Sequence, residues 1–169
     1  MNAEQKNFIE VVGAIASTDM KNSGVAASLT IAQAIIESAW GKSELTKLFG
    51  IKATSNWKGK TLKRKTTEYE DGKKVQVEAE FRAYATWEES VKDHSAFLKK
   101  YKRYAKVIGE TDYKEACKAV AAAEYATDPE YEKKLIELIE TYELYNYDTK
   151  NTETDNLEAE EKKYYRVQA

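Results

Sequence analysis

Cysteine and histidine are almost absent from this chain: Cys117 and His94 stand alone among 169 residues. A single Cys forms no intrachain disulfide, so the protein could mature in a reducing compartment. With one Cys and one His there is no cluster for a structural zinc, and the carboxylates fall in no calcium-loop pattern. Neither a metal nor a cofactor is expected. Proline is limited to Pro129, while there are twelve Tyr and three Trp; a Pro-poor, Tyr-rich chain is not disordered. Charge of one sign is lacking too. Lys and Arg number 27 against 29 Asp and Glu, for a net charge of −2, so bulk charge suggests no nucleic-acid partner. No apolar run is long enough to cross a membrane, and none is expected to insert. The opening MNAEQKNFIEVVG has no basic stretch followed by an apolar one, so it is not read as a secretory signal.

What is present is enough length for one domain with a real core. Residues from Glu4 to about Ser17 have an apolar face of Phe8, Val11, Val12 and Ile15, and the Asn22-Ser23-Gly24 stretch is a break. Thr86 with Glu89 forms a capping box that opens a helix through Trp87, Val91, His94 and Leu98. Asp112 with Glu115 opens a second, through Ala116 and Val120. Asp128 and Pro129 read as N-cap and first residue of a third, through Leu135, Leu138, Ile139 and Tyr142. His94 shares a face with Trp87, Val91 and Leu98 and reads as a hydrogen-bonded, semi-buried residue; Cys117 reads as a core thiol.

One carboxylate stands in unusual company. The run SLTIAQAIIESAWGKSEL, from Ser28 to Leu45, is apolar nearly all round, which marks an interior helix. Its polar residues Thr30, Gln33 and Glu37 fall on one narrow stripe, which must face water or a cleft. Gly41 is the expected stop and leaves Glu37 near the negative end of the helix dipole. Apolar walls and the dipole both disfavour the charged form. A carboxylic acid that keeps its proton near neutral pH can serve as a general acid.

Around Asp71-Gly72 the pattern changes to alternation. Asp-Gly between alternating runs signals a two-residue β-hairpin. That loop pairs Glu70 with Lys73, Tyr69 with Lys74, Glu68 with Val75, Lys65 with Glu78 and Lys63 with Glu80, and the opposite charges support the register. Val75, Val77, Ala79 and Phe81 then share the inner face with Leu62, Arg64, Thr66 and Glu68. Lys63, Lys65, Lys74, Glu78, Glu80 and Arg82 fall on the outer, wet face. A slip of one residue would turn Glu68 outward. The Lys58 to Lys65 segment is a solvated edge that could also hold anionic polymers.

Four blocks occur in order: AQAIIESAWGKSEL, LFGIKA at Leu48 to Ala53, FRAY at Phe81 to Tyr84, and YATDP at Tyr125 to Pro129. From about Ala27 to about Tyr142 the chain resembles the glucosaminidase family of peptidoglycan hydrolases, glycoside hydrolase family 73. The resemblance implies an α+β, mostly α, lysozyme-like helical domain with a small β-hairpin lobe across a substrate cleft. It implies cleavage of the β-1,4 bond after N-acetylglucosamine, with Glu37 as general acid. Glu68, in Thr66-Thr67-Glu68, matches the family's T-x-E block and is the candidate second carboxylate. Tyr125 lines the cleft in that family and supports catalysis. Gln33 could orient the acid or bind sugar, and Trp40, Phe49, Trp57 and Tyr84 are candidate sugar platforms. Asp128 caps its helix. Two departures stand out. Lys47 directly precedes Leu48, where many members have a longer loop ending in Asn. Glu124 stands where members commonly have Gly, which puts the local backbone in question.

The expected organisation is a catalytic domain over 1–148 and an acidic, unpatterned linker over 149–169, with the polar stretch beginning at Asp148. The closing KYYRVQA resembles the opening strand of SPOR-type wall-binding repeats. The expected partner is the peptidoglycan glycan strand, met as a monomer. Without a signal the chain would reach the wall as a phage lysin released through membrane lesions, or as a domain cut from a longer protein. A muramidase or lytic transglycosylase on the same fold, or a wall-binding module without catalysis, are the competing readings.

Overall fold

A helix buried on every side organises the molecule. In a computed structural model, which describes residues 1–42 and 48–148, helix α2 (Ala27–Ser38) is buried at every position from 27 to 35. Around it pack α1 (Ala3–Ser23), α3 (Trp87–Lys100), a 3₁₀ turn at Lys102–Tyr104, α4 (Tyr113–Ala122) and α5 (Tyr131–Thr141). Helices α1, α4 and α5 contact α2 directly, and α3 lies against α1. The core joins Val12 of α1, Leu29 and Ile31 of α2, Leu98 of α3, Val120 of α4 and Leu135 and Ile139 of α5, all fully buried. Burying such side chains is the main favourable term in the fold.

Helices α1, α3 and α4 begin at capping residues. Asn2 and Gln5 form a reciprocal capping box on α1, Thr86 accepts from the Glu89 N–H, and Asp112 accepts from the N–H groups of Lys114 and Glu115. Helix α1 runs past the expected end at Ser17 to Ser23, and Gly24 closes it at φ 74. Asp128 does not cap α5 itself. It accepts from the Glu130 N–H at 2.9 Å and closes a turn before the helix opens at Tyr131.

The N-cap of α2, Ala26, has no oxygen to offer, and the far end of the chain supplies one. Asp148 accepts from the Ser28 N–H at 2.9 Å and from the Ser28 hydroxyl at 2.6 Å. A carboxylate at a helix N-terminus satisfies orphan donors and the dipole together. Ser17 donates to the Tyr147 carbonyl at 2.9 Å, and the Tyr147 ring covers Gly13 so closely that a methyl there would sit 2.2 Å from it. Asp148 therefore packs against the helical body at the first turn of α2. The linker beyond it, KYYRVQA and the approach to Leu48 through Lys47 lie outside the described residues.

Strands β1 (Thr61–Glu70) and β2 (Lys73–Arg82) form the antiparallel hairpin in the expected register, with Glu68 opposite Val75 and Glu70 opposite Lys73. Asp71 and Gly72 make the two-residue loop at φ 50 and 75. At its base the hairpin gains a short third edge: the Arg82 N–H donates to Ile51 at 2.9 Å and the Ala53 N–H to Glu80 at 2.8 Å. Outer positions Lys63, Lys65, Glu78 and Glu80 are exposed, as expected. Arg82 is the exception. Its side chain is 11% exposed, pairs with Asp93 at 2.9 Å and lies 4.6 Å from the centre of the Trp57 ring. The hairpin's outer face is covered there by Trp57 and α3.

Among the described residues no helix is long and apolar enough to cross a membrane. The α+β, mostly helical architecture with a hairpin lobe is the one expected.

Candidate active site

Glu37 sits in the last turn of α2, half-buried. The helix stops at Ser38, earlier than the expected Gly41, because Ala39, Trp40 and Gly41 take successive left-handed conformations at φ 47, 63 and 76. The Ser38 hydroxyl secures the reversal by donating to the Ala34 carbonyl at 2.6 Å and accepting from the Gly41 N–H at 2.8 Å. A side chain at Gly41 would meet Phe8 and Trp87 at 2.9 Å. The turn seats Trp40 edge-on against Phe8 and Tyr142, with centroids 5.9 and 5.1 Å apart.

The stripe of Thr30, Gln33 and Glu37 is not a wet edge. Thr30 and Gln33 are 1% and 0% exposed, and only Glu37 reaches the cleft. Gln33 donates through Nε2 to the Tyr131 hydroxyl at 3.0 Å, and its Oε1 meets His94 Nε2 at 3.0 Å. Tyr131 donates in turn to Glu37 Oε1 at 3.4 Å. Burial holds the His94 imidazole down at about 3, so the ring is neutral. Burial, and then the Glu37 charge, push both Tyr125 and Tyr131 above the ordinary phenol range. Tyr125 lies parallel to Tyr131 at 6.1 Å and meets Phe97 and Tyr104 edge-on.

A cleft of about 810 Å³ brings Glu37 and Tyr125 together with Glu68 on the hairpin. Thr66 and Thr67 line the same wall, and Gly50, Lys52, Tyr104 and Arg103 complete the rim. Glu68 is ion-paired with Lys52, and its side chain is 35% exposed. Lys52 reaches it because its own segment bridges to Phe81 at the hairpin base. Arg103 sits over the Tyr104 ring, 4.9 Å from its centre. The arrangement can deliver a proton from a core-mounted carboxyl group while a second carboxylate stands across the opening. Glu124, before Tyr125, keeps the left-handed conformation at φ 57 despite its side chain, which answers the question its place in the sequence raises.

None of the five expected binding residues lines the cleft. Phe49 is fully buried and stacked on His94 at 3.9 Å, so it has no face for a sugar. Gln33 is likewise sealed from the cleft and acts only through Tyr131 and His94. Trp40 packs on the body and is absent from the cleft lining. Tyr84 donates to Asp93 at 2.5 Å and, with Trp57, lines a separate cavity of about 560 Å³. Trp57 also borders a small cavity that shares Thr54, Arg82 and Phe97 with the main cleft. It marks the far end of a run of hollows leading away from Glu37.

Sequence reasoning missed Tyr131, Lys52 and Arg103. Tyr131 was findable: it lies four residues before Leu135, in phase with the apolar face of α5. Lys52 and Arg103 carry no such signal, since an isolated cation in a polar segment looks like any other. Among the described residues no group of three or more His, Cys, Asp or Glu side chains is gathered to hold a metal ion.

Comparison with known proteins gives a consistent picture. The family model described as "Glucosaminidase: Mannosyl-glycoprotein endo-beta-N-acetylglucosaminidase" matches residues 13–144. The exo-glucosaminidase LytG of Bacillus subtilis is 40% identical over 157 residues, covering 88% of this chain and 55% of LytG. The peptidoglycan hydrolase FlgJ of Salmonella typhimurium is 33% identical over 166 residues, covering 94% of this chain and 52% of FlgJ. The chain thus spans about half the length of the curated relatives it matches. Among solved structures, the catalytic domain of the autolysin Auto from Listeria monocytogenes superposes with a TM-score of 0.78 at 34% identity, covering 88% of this chain and 89% of that one.

Proposed function

The chain belongs to the glucosaminidase family, and we propose that it is an endo-acting β-N-acetylglucosaminidase that hydrolyses the β-1,4 bond after N-acetylglucosamine in bacterial peptidoglycan. It works at the cell wall, as a monomer, on glycan strands. One observation carries the reading: Glu37, the sole polar residue of a buried helix to reach the cleft, stands there with a hydrogen bond from Tyr131 behind it and Glu68 across the opening.

Glu37 protonates the glycosidic oxygen as the bond to the anomeric carbon breaks. Glu68, released from Lys52 or acting beside it, activates water or steadies the developing positive charge; alternatively the sugar's own acetamido group takes that part. The Tyr125 hydroxyl, kept protonated by burial, donates to the acetamido group or to developing charge. LytG and FlgJ are named as an exo-glucosaminidase and a peptidoglycan hydrolase, which supports both bond type and substrate. Mass spectrometry of digested peptidoglycan tests the proposal. Reducing-end N-acetylglucosamine, on fragments that are long early in the digest, is the expected result. Reducing-end muramic acid, or its 1,6-anhydro form, overturns the bond assignment. Release of short units from strand ends alone overturns the endo assignment.

A further inference from the structure

The hydrogen bonds behind Glu37 run in one direction, and that direction fixes what its Oε1 receives. His94 is neutral and fully buried, so its ring carries one N–H. Gln33 gives its amide nitrogen to Tyr131, which leaves its amide oxygen facing His94 Nε2 at 3.0 Å. An amide oxygen only accepts, so the imidazole proton is on Nε2. His94 Nδ1 is buried and has no hydrogen-bond partner among the described residues. Moving the proton there would strand a buried N–H, which costs more than stranding a lone pair. The polarity of the row is therefore locked at its inner end. Because Tyr131 accepts from Gln33, its own hydroxyl proton turns outward to Glu37 Oε1 at 3.4 Å. The other oxygen, Oε2, lies 3.8 Å from the point where a side chain at Gly50 would begin, and both residues line the cleft.

We infer that His94, Gln33 and Tyr131 are positioning residues that hold Oε1 of Glu37 as a hydrogen-bond acceptor and so steady the carboxylate that forms as the acid gives up its proton. The inference rests on Glu37 being the acid. In the step itself the O–H bond of the Glu37 carboxyl group breaks, its electron pair stays on the carboxylate and its proton goes to the glycosidic oxygen. That oxygen keeps the electron pair of the bond to the anomeric carbon. Charge grows on Glu37 as the proton leaves, and the Tyr131 hydrogen bond strengthens with it.

Other ionisable groups face Glu37. Tyr125 comes from the loop before α5, and burial keeps it protonated, as it does Tyr131. From the opposite side come the Lys52–Glu68 pair, Arg82 held by Asp93, and Arg103 over Tyr104 with Tyr101 beside it. The test must separate these from the row behind the acid.

Tyr131→Phe keeps the ring and deletes only the donor. We expect kcat to fall about tenfold with KM within about twofold. The alkaline limb of the kcat/KM profile should move up by about one pH unit, because the carboxylate has lost a stabilising hydrogen bond. Gln33→Met should shift the limb the same way by less, and Gln33→Met/Tyr131→Phe should match Tyr131→Phe alone. The same displacement in a Lys52→Met background separates the effect from the Lys52–Glu68 pair. A lowered kcat with an unmoved limb, or additive single effects, overturns the inference. Glu37→Gln keeps the two readings apart: if it retains activity, the acid assignment fails whatever the limb does. If it is inactive and the Tyr131→Phe limb stays put, only the positioning role fails.

Discussion

On the helical wall of the cleft Glu37 grows from a helix buried at every position from 27 to 35. On the hairpin wall Glu68 grows from a two-stranded sheet whose alternate side chains are exposed. Both are carboxylates facing one opening, yet their support differs in kind. Glu37 is held by close packing and by a row of buried hydrogen bonds. Glu68 is held by strand register and by an ion pair with Lys52 that is itself half in water. Packed interiors fix a side chain to a few tenths of an ångström, whereas a two-stranded ribbon is marginal without a surface to lean on. Among the described residues, the backbone hydrogen bonds that join the hairpin to residues 51 to 53 lie at its base. In the proposed mechanism the proton donor is thus on the packed wall, and the second carboxylate is on the wall with less support.

The largest effect should come from the rigid wall. Glu37→Gln is nearly isosteric, so the fold should survive while turnover falls by at least ~10²-fold. Wall-lysis rates within tenfold of the parent would break the comparison at its first term. Next comes the hairpin, where Glu68→Gln should cost about ten- to a hundredfold in kcat/KM and Glu70→Gln about twofold or less. Glu70 is exposed at the turn opposite Lys73. A reversed order of the two would show that the inner face is not the working one.

A third measurement sharpens the comparison through pH. The imidazole of His94 titrates near 6.5 when unfolded and is held down to about 3 by burial in the folded chain. Between those values the unfolded state binds a proton that the folded state refuses. Stability from this site is therefore complete above about 6.5 and is lost as pH falls, by up to ~1.4 kcal/mol per pH unit. Urea midpoints at pH 7 and pH 4.5 should differ accordingly, and His94→Gln should flatten the dependence. The hairpin's exposed charge pairs should add little, being screened. The smallest effect concerns Glu124, whose φ of 57 is strained for a residue with a side chain. Glu124→Gly should stabilise the domain by ~0.5–1 kcal/mol and leave activity unchanged. A loss of urea stability would mean that the Glu124 side chain has a partner worth more than the strain.

The hairpin was the most legible part of the chain, because Asp71-Gly72 fixes the loop and the opposite charges at Lys63, Lys65 and Lys73 fix the pairing. The identity of α2 as an interior helix was equally plain from its composition. Its end was not: three successive left-handed residues held by Ser38 leave no mark that propensity rules detect, since only Gly41 looks like a stop. The fate of the polar stripe was ambiguous for a physical reason. Gln33 is buried because Tyr131 and His94, from other elements, satisfy it, and partners distant in sequence are invisible to periodicity. Arg82 misled in the same way, since alternation puts it outside but Trp57 and Asp93 cover it. The aromatic residues named as sugar platforms show the limit of residue type alone. Phe49 and Trp40 have the right chemistry and no access to the cleft.

The bond from Asp148 to Ser28 ties the last described residue of the chain to the first turn of the helix that ends in Glu37. Nine residues of helix separate Ser28 from Glu37, about 14 Å along the axis. A leash attached after Asp148 would thus be anchored at the far end of the helix that carries Glu37, with its load falling on the end of α2 remote from the cleft. Whatever such a leash holds, the cleft lies at the other end of the same rod.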